Sequence, residues 1–268
     1  MSHMPISGSG GFDLFLEDPV LGTSTFVKSF MPSTDAKDGY EGKVDFDGNK
    51  LRYFTLNFPT YNGVNGLWIG LQEGAEVGHG NKYVDLLPVV YYGSSITQGG
   101  CSARPGNAYQ AIVSRRLNLD FVNLGFSGSG KGEELIVDYM ASMKMSAFVS
   151  DYDHNAPNPE HLEATHRRLY ERIRASHPDV PYIILTKPDF RYENFDSARR
   201  RNVAWDTYQY AIAQGDRNVY FIDGESLFRG HHYNSCTVDG CHPTDLGFSL
   251  MADAVEHELR IAFSKKYR

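Results

Sequence analysis

Along residues 12–87 apolar and polar positions alternate with a period of two. Phe54, Leu56 and Phe58 share one face of 51–58, and Leu67, Ile69 and Leu71 share one a few residues later. Asp47-Gly48-Asn49 and Asn62-Gly63 supply hairpin signals between such runs. With no convincing helical spacing here, the stretch predicts a small all-β, jelly-roll-like domain. From Pro88 the pattern changes: short apolar runs at 89–93, 120–124, 147–151, 182–186 and 219–222 alternate with amphipathic segments at 108–117, 133–143, 159–176, 198–214 and 245–263. The last is the clearest helix, with Thr244 as N-cap and Met251, Val255, Leu259 and Ala262 as its stripe. Five strands each followed by a helix predict a parallel sheet covered on both faces, with every post-strand loop on one edge. Open α/β sheets bind ligands at that edge.

Composition narrows the class without changing the fold. Hydrophobic residues make up 41% and charged residues 22%, as in globular proteins, and a net charge of −7 disfavours nucleic acid and anionic lipid as partners. The longest apolar run, from Leu86 to Tyr92, is far short of the ~20 residues a membrane helix needs, so no membrane partner is expected either. Residues 1–11 read as a disordered vector-derived remnant with no basic or apolar part of an export signal, which leaves localisation open. The remaining division is 12–87 and 88–268. Cys101, Cys236 and Cys241 are too few for a disulfide framework, and reduced thiols are expected.

Four segments at the predicted edge carry chemistry: Gly93-Ser94-Ser95-Ile96, Gly125-Phe126-Ser127-Gly128-Ser129-Gly130, Asp151-Tyr152-Asp153-His154-Asn155-Ala156, and Asp239-Gly240-Cys241-His242. Together they hold the inventory of acyl transfer. Ser95 needs an imidazole to take its proton, and His242 needs an acceptor on its other ring nitrogen, which Asp239 three residues earlier can reach through a turn. The Ser95 and Gly128 N–H groups and the Asn155 amide could surround the oxyanion.

These blocks resemble the SGNH (GDSL-like) hydrolases, whose four defining types fall on Ser95, Gly128, Asn155 and His242 in the family's order. The resemblance spans about 89–263. It departs from the family at Ser94, where an aspartate is usual, and at Ala156, where an aspartate commonly follows the asparagine. It implies a flavodoxin-like α/β/α domain and a serine esterase that uses no cofactor and no metal. A β domain in front of such a hydrolase is similar to the sugar O-acetyl esterases of the second carbohydrate-esterase family. That analogy implies O-deacetylation of a small-molecule or polysaccharide ester, with oligomeric state open.

Other readings compete. A short-chain lipase or arylesterase would share the fold, and a carbohydrate-binding protein could retain an esterase scaffold. Residues 125–132 nearly spell a phosphate loop but end in Gly132 where Ser or Thr is required. The pairs His161/His166 and His231/His232 lack zinc-helix spacing and read as surface histidines. Arg199-Arg200-Arg201, with Lys187 and Arg191 before it, reads as a solvated helix start or, alternatively, as a border favouring an acidic glycan. Trp68 and Trp205 read as core, with sugar stacking as the alternative.

Overall fold

A computed structural model describes residues 2–189, 196–230 and 233–266. The hydrolase-like part is built on a parallel sheet of β4 (Val89–Gly93), β5 (Phe121–Gly125), β6 (Ala147–Asp151), β7 (Tyr182–Leu185) and β8 (Val219–Ile222), ordered β5-β4-β6-β7-β8. Counting from its first strand, that order is 2-1-3-4-5, the flavodoxin-like doubly wound arrangement, whose switch point lies between β4 and β6. Successive side chains of a strand point to opposite faces, and the buried strands separate two cores accordingly. Val89 and Tyr91 pack with α3 (Tyr109–Leu117) and α7 (Asp245–Lys266), while Val90 and Tyr92 pack with α4 (Glu134–Ser142), α5 (Pro159–Ser176) and α6 (Ser197–Ala213). In α7 the predicted stripe is buried, and the Thr244 hydroxyl caps the helix by accepting the Gly247 N–H at 3.4 Å.

The N-terminal part carries a small antiparallel sheet of β1 (Phe12–Asp18), β2 (Thr23–Phe30) and β3 (Tyr53–Asn57), ordered β2-β1-β3. The 51–58 alternation is realised as β3. The alternation at 67–71 is not realised as a strand, and Leu67, Trp68, Ile69 and Leu71 are exposed. Period two gives a chain a face, but a strand also requires a partner's backbone groups, and the described residues offer this segment none. Trp68 is therefore a surface residue, and Trp205, though it packs on Tyr208 and Phe221, is 37% exposed, so neither lies in the core as expected.

Residues 5–11, expected to be disordered, are ordered instead. The short helix α1 (Ile6–Ser9) is seated between two loops: the Gly8 carbonyl accepts the Thr60 N–H and the Ser9 carbonyl those of Tyr61 and Asn62, while the Ser7 hydroxyl donates to the Ala103 carbonyl at 2.6 Å. A Cβ on Gly8 would lie 2.0 Å from the Ser102 carbonyl oxygen, so only glycine allows this approach. The Ser/Gly composition that suggested a linker is what lets the segment pack so closely.

Candidate active site

β4 delivers its chain into the short helix α2 (Ser95–Gln98) at the switch point. The Ser94 hydroxyl caps this helix, accepting the Ile96 N–H at 3.0 Å, and Ser95 is the first helical residue. Its N–H is one of the first-turn donors that a helix cannot satisfy internally. The Ser95 hydroxyl meets His242 Nε2 at 2.8 Å, and His242 Nδ1 meets Asp239 Oδ2 at 2.8 Å. With Nδ1–H committed to the carboxylate, Nε2 is the acceptor and Ser95 the donor. The loop holding the last two residues is closed by a bridge between Thr237 and Pro243, and by Val238 N–H donating to the His242 carbonyl. Burial pushes the Asp239 carboxyl up, but N–H donation from the His242 backbone and ring and from the Cys241 backbone outweighs burial and holds it below its usual value.

Gly128 lies in the loop after β5 with φ +68°, a left-handed conformation that favours glycine. Asn155 ends a turn after β6, and its Nδ2 donates to the Phe126 carbonyl at 2.9 Å. The same carbonyl accepts the Ser129 and Gly130 N–H groups, so one oxygen fixes the Asn155 amide to the Gly128 loop and leaves a second amide hydrogen for another acceptor. The loop is held to α2 in turn, with Ser127 N–H donating to Gln98 Oε1 at 3.0 Å. The structure thus joins Ser95, His242 and Asp239 directly, and Asn155 and the Gly128 loop through Phe126 and Gln98.

Several neighbours escaped the sequence reading. Tyr61 Oη donates to the Ser95 carbonyl at 3.4 Å, and the His3 ring lies 5.5 Å from the His242 ring, so the N-terminal part borders the site. More consequential is a second Ser–His–Asp chain. Ser94 Oγ meets His154 Nε2 at 2.6 Å, and His154 Nδ1 meets Asp153 Oδ1 at 2.9 Å. Asp153 Oδ2 accepts the Lys187 N–H, and Arg200 donates to the Asp153 and Ala156 carbonyls at 2.8 Å each. Burial pushes the Asp153 carboxyl up, yet its contacts with His154 and Lys187 bring it below its usual value. Two residues earlier, burial and then the Asp153 charge hold Asp151 well above that value. The available signal was adjacency: Ser94 and His154 each precede a residue that the motif singled out.

The competing motifs resolve differently. In the phosphate-loop-like segment the Gly132 N–H goes to the Tyr92 hydroxyl and those of Ser129 and Gly130 to Phe126, so the loop is folded around protein oxygens. His161 donates to the Lys131 carbonyl; His166 is buried against Thr207 and pushed down by that burial to about 4, which corrects its reading as a surface residue. His231, His232 and Arg191 lie outside the described residues. The arginine run is not one solvated cluster: Arg199 pairs with Glu160 and Glu163, Arg201 with Asp223, and Arg200 is buried. All three thiols are free. Among the described residues two groupings, His3/Cys101/His242 and Asp151/Asp153/His154, have ligand atoms within 4.8 Å of one another; the nitrogens of His242 and His154 are engaged as described, whereas the His3 Nε2 is buried with no hydrogen-bond partner.

Comparisons with known proteins agree with this fold. A model of the GDSL-like lipase/acylhydrolase family matches residues 87–260, and a model of the N-terminus of SGNH-hydrolase-type esterases matches residues 1–77. No curated protein gives a match. Among solved structures, a GDSL-like lipase candidate from Bacteroides ovatus is 28% identical with a TM-score of 0.86, covering 97% of this chain and 78% of that one. A salicylyl-acyltransferase from a tetracycline biosynthetic pathway, at 17% identity, has a TM-score of 0.65 and covers 94% and 73%. A family two carbohydrate esterase from Clostridium thermocellum, in complex with cellohexaose, has 14% identity and a TM-score of 0.62, covering 97% and 88%. The last two similarities are of fold.

Proposed function

Because this chain belongs to the GDSL-like lipase/acylhydrolase family and is a carboxylic ester hydrolase, we propose that it is a serine esterase removing acetyl groups from a carbohydrate, with Ser95 as nucleophile, His242 as base and then acid, and Asp239 as its orienting carboxylate. The observation that carries this reading is the continuous Ser95–His242–Asp239 hydrogen-bond chain at the switch point of the sheet. Ser95 Oγ attacks the ester carbonyl carbon as its proton passes to His242 Nε2. The charge that grows on the carbonyl oxygen is received by the Ser95 and Gly128 N–H groups and the Asn155 amide, which are fixed beforehand and need no reorganisation. His242 then protonates the departing sugar oxygen, leaving an acyl-Ser95. Water attacks that ester while His242 takes its proton, acetate leaves, and the proton returns to Ser95. The ionised Asp239 favours the imidazolium at each transfer.

The carbohydrate part of the proposal is supported by the fold shared with an esterase that holds cellohexaose. Hydrolysis of p-nitrophenyl acetate by the wild type and Ser95→Ala tests the chemistry, and acetate release from a panel of acetylated polysaccharides and oligosaccharides tests the substrate. A preference for octanoyl over acetyl esters would overturn the deacetylase assignment in favour of a lipase. Activity retained by Ser95→Ala would overturn the mechanism.

A further inference from the structure

The second Ser–His–Asp chain shares the chemistry of the first, yet it cannot share its role. Ser94 is fully buried, as are Asp153 and, nearly so, the His154 ring, so no ester reaches the Ser94 hydroxyl. That hydroxyl is also committed at its proton and at one of its two lone pairs. A hydroxyl offers one proton and two lone pairs. Asp153 takes the Nδ1–H of His154, so Nε2 is an acceptor and the Ser94 proton goes to it, while a Ser94 lone pair receives the Ile96 N–H.

What this chain connects gives it a purpose. Ser94 sits at the entry of α2, one residue before the Ser95 N–H, and His154 sits in the turn after β6, one residue before Asn155. Those two donors follow different strands, across the crevice where the strand order reverses. We propose that Ser94–His154–Asp153 is a positioning relay that holds the two sides of the oxyanion hole in register, with Arg200 and the Lys187 backbone fixing its far end. The proposal rests on the reading of Ser95 as nucleophile and Asn155 as oxyanion donor. An oxyanion donor stabilises the transition state more than the bound ester, so a hole out of register loses turnover and not substrate affinity.

Steady-state kinetics on p-nitrophenyl acetate test this, using Ser94→Ala, Ser94→Thr, His154→Ala and Ser94→Ala/His154→Ala, with Ser95→Ala as reference. Each alanine variant is expected to lose roughly 10- to 100-fold in kcat, the scale of a small misplacement of reacting groups, with KM changed less than about threefold. The double variant should be no slower than the slower single one, because both substitutions cut the same chain. His154→Ala keeps the Ser94 cap on α2, so its kcat loss separates relay from cap, and Ser94→Thr, which keeps the hydroxyl, should recover most of the rate. Additive losses overturn the relay, as does unchanged kcat in His154→Ala, or a change confined to KM. If a buried alanine variant does not fold, the Ser94→Thr rate decides: a loss equal to that of whichever alanine variant folds, or a loss above 10-fold where neither does, overturns the relay. Ser95→Ala at wild-type rate would instead overturn the nucleophile reading and the relay with it.

Discussion

The two Ser–His–Asp chains at the C-terminal edge of the sheet are built from the same groups at similar distances, and they differ in access. In the first, the His242 and Asp239 side chains are 16% and 34% exposed; in the second, those of His154 and Asp153 are 5% and 2% exposed. Ser95 caps nothing, whereas Ser94 accepts the Ile96 N–H of the same helix turn. The difference shows that a hydrogen-bonded serine, imidazole and carboxylate do not make a nucleophile. A lone pair must remain to attack with, and an acyl group must be able to approach it. Where burial keeps the acyl group out, the same constellation becomes a fixed strut.

The largest effect expected from breaking this contrast is that of Ser95→Ala, a loss of about 10⁴-fold or more in kcat with unfolding unchanged, read by initial rates and a thermal melt. Asp239→Asn follows. The side chain accepts two backbone N–H groups as well as the imidazole, so the loop survives, but an amide can stabilise neither the tautomer nor the imidazolium. A loss of roughly 10²- to 10⁴-fold in kcat is expected, and a loss under tenfold would mean that Ser95 and His242 suffice as a pair. Asn155→Ala should cost about 10²- to 10³-fold in kcat, as for other single oxyanion donors, with the KM for the acetate ester little changed. If Asn155→Ala instead raises KM alone, its amide binds substrate and is not an oxyanion donor.

Much of this contrast was readable from the chain. The 3.6-residue stripes and apolar runs after Pro88 specify strands and helices because each must bury one face or both, and the parallel topology then gathers the four blocks. Ser95, Asp239 and His242 stand out because their chemistry has a known grammar. His154 and Arg200 do not, since each looks ordinary until folding buries it: His154 reads as one more polar loop residue, and Arg200 as the middle of a basic run. The period-two reading of 67–71 fails for the reverse reason, as a face without a partner strand is not yet a sheet. Residues 5–11 were misjudged because small residues serve linkers and close packing alike.

The finest test of the sealed region concerns two carboxyls at the end of β6. Asp153 is held below its ordinary value of 3.8 in the folded protein, so its ionised form contributes stability above that pH and loses it as pH falls through the native value. Asp151 is held well above 3.8 by burial, so the sign reverses: its contribution is present below 3.8 and is lost as pH rises. Asp153→Asn leaves the His154 ring and the Lys187 N–H facing a group with fewer acceptor sites. It should lower stability at pH 7 by roughly 1–3 kcal/mol in urea unfolding. Asp151→Asn replaces the carboxyl by its near isostere, whose carbonyl can still accept from Thr97 and Tyr109. Relative to wild type it should shift toward stabilisation as pH rises above 3.8, read by urea unfolding at a series of pH values. The same pH dependence in both variants would mean that the two carboxyls are not shifted in opposite directions.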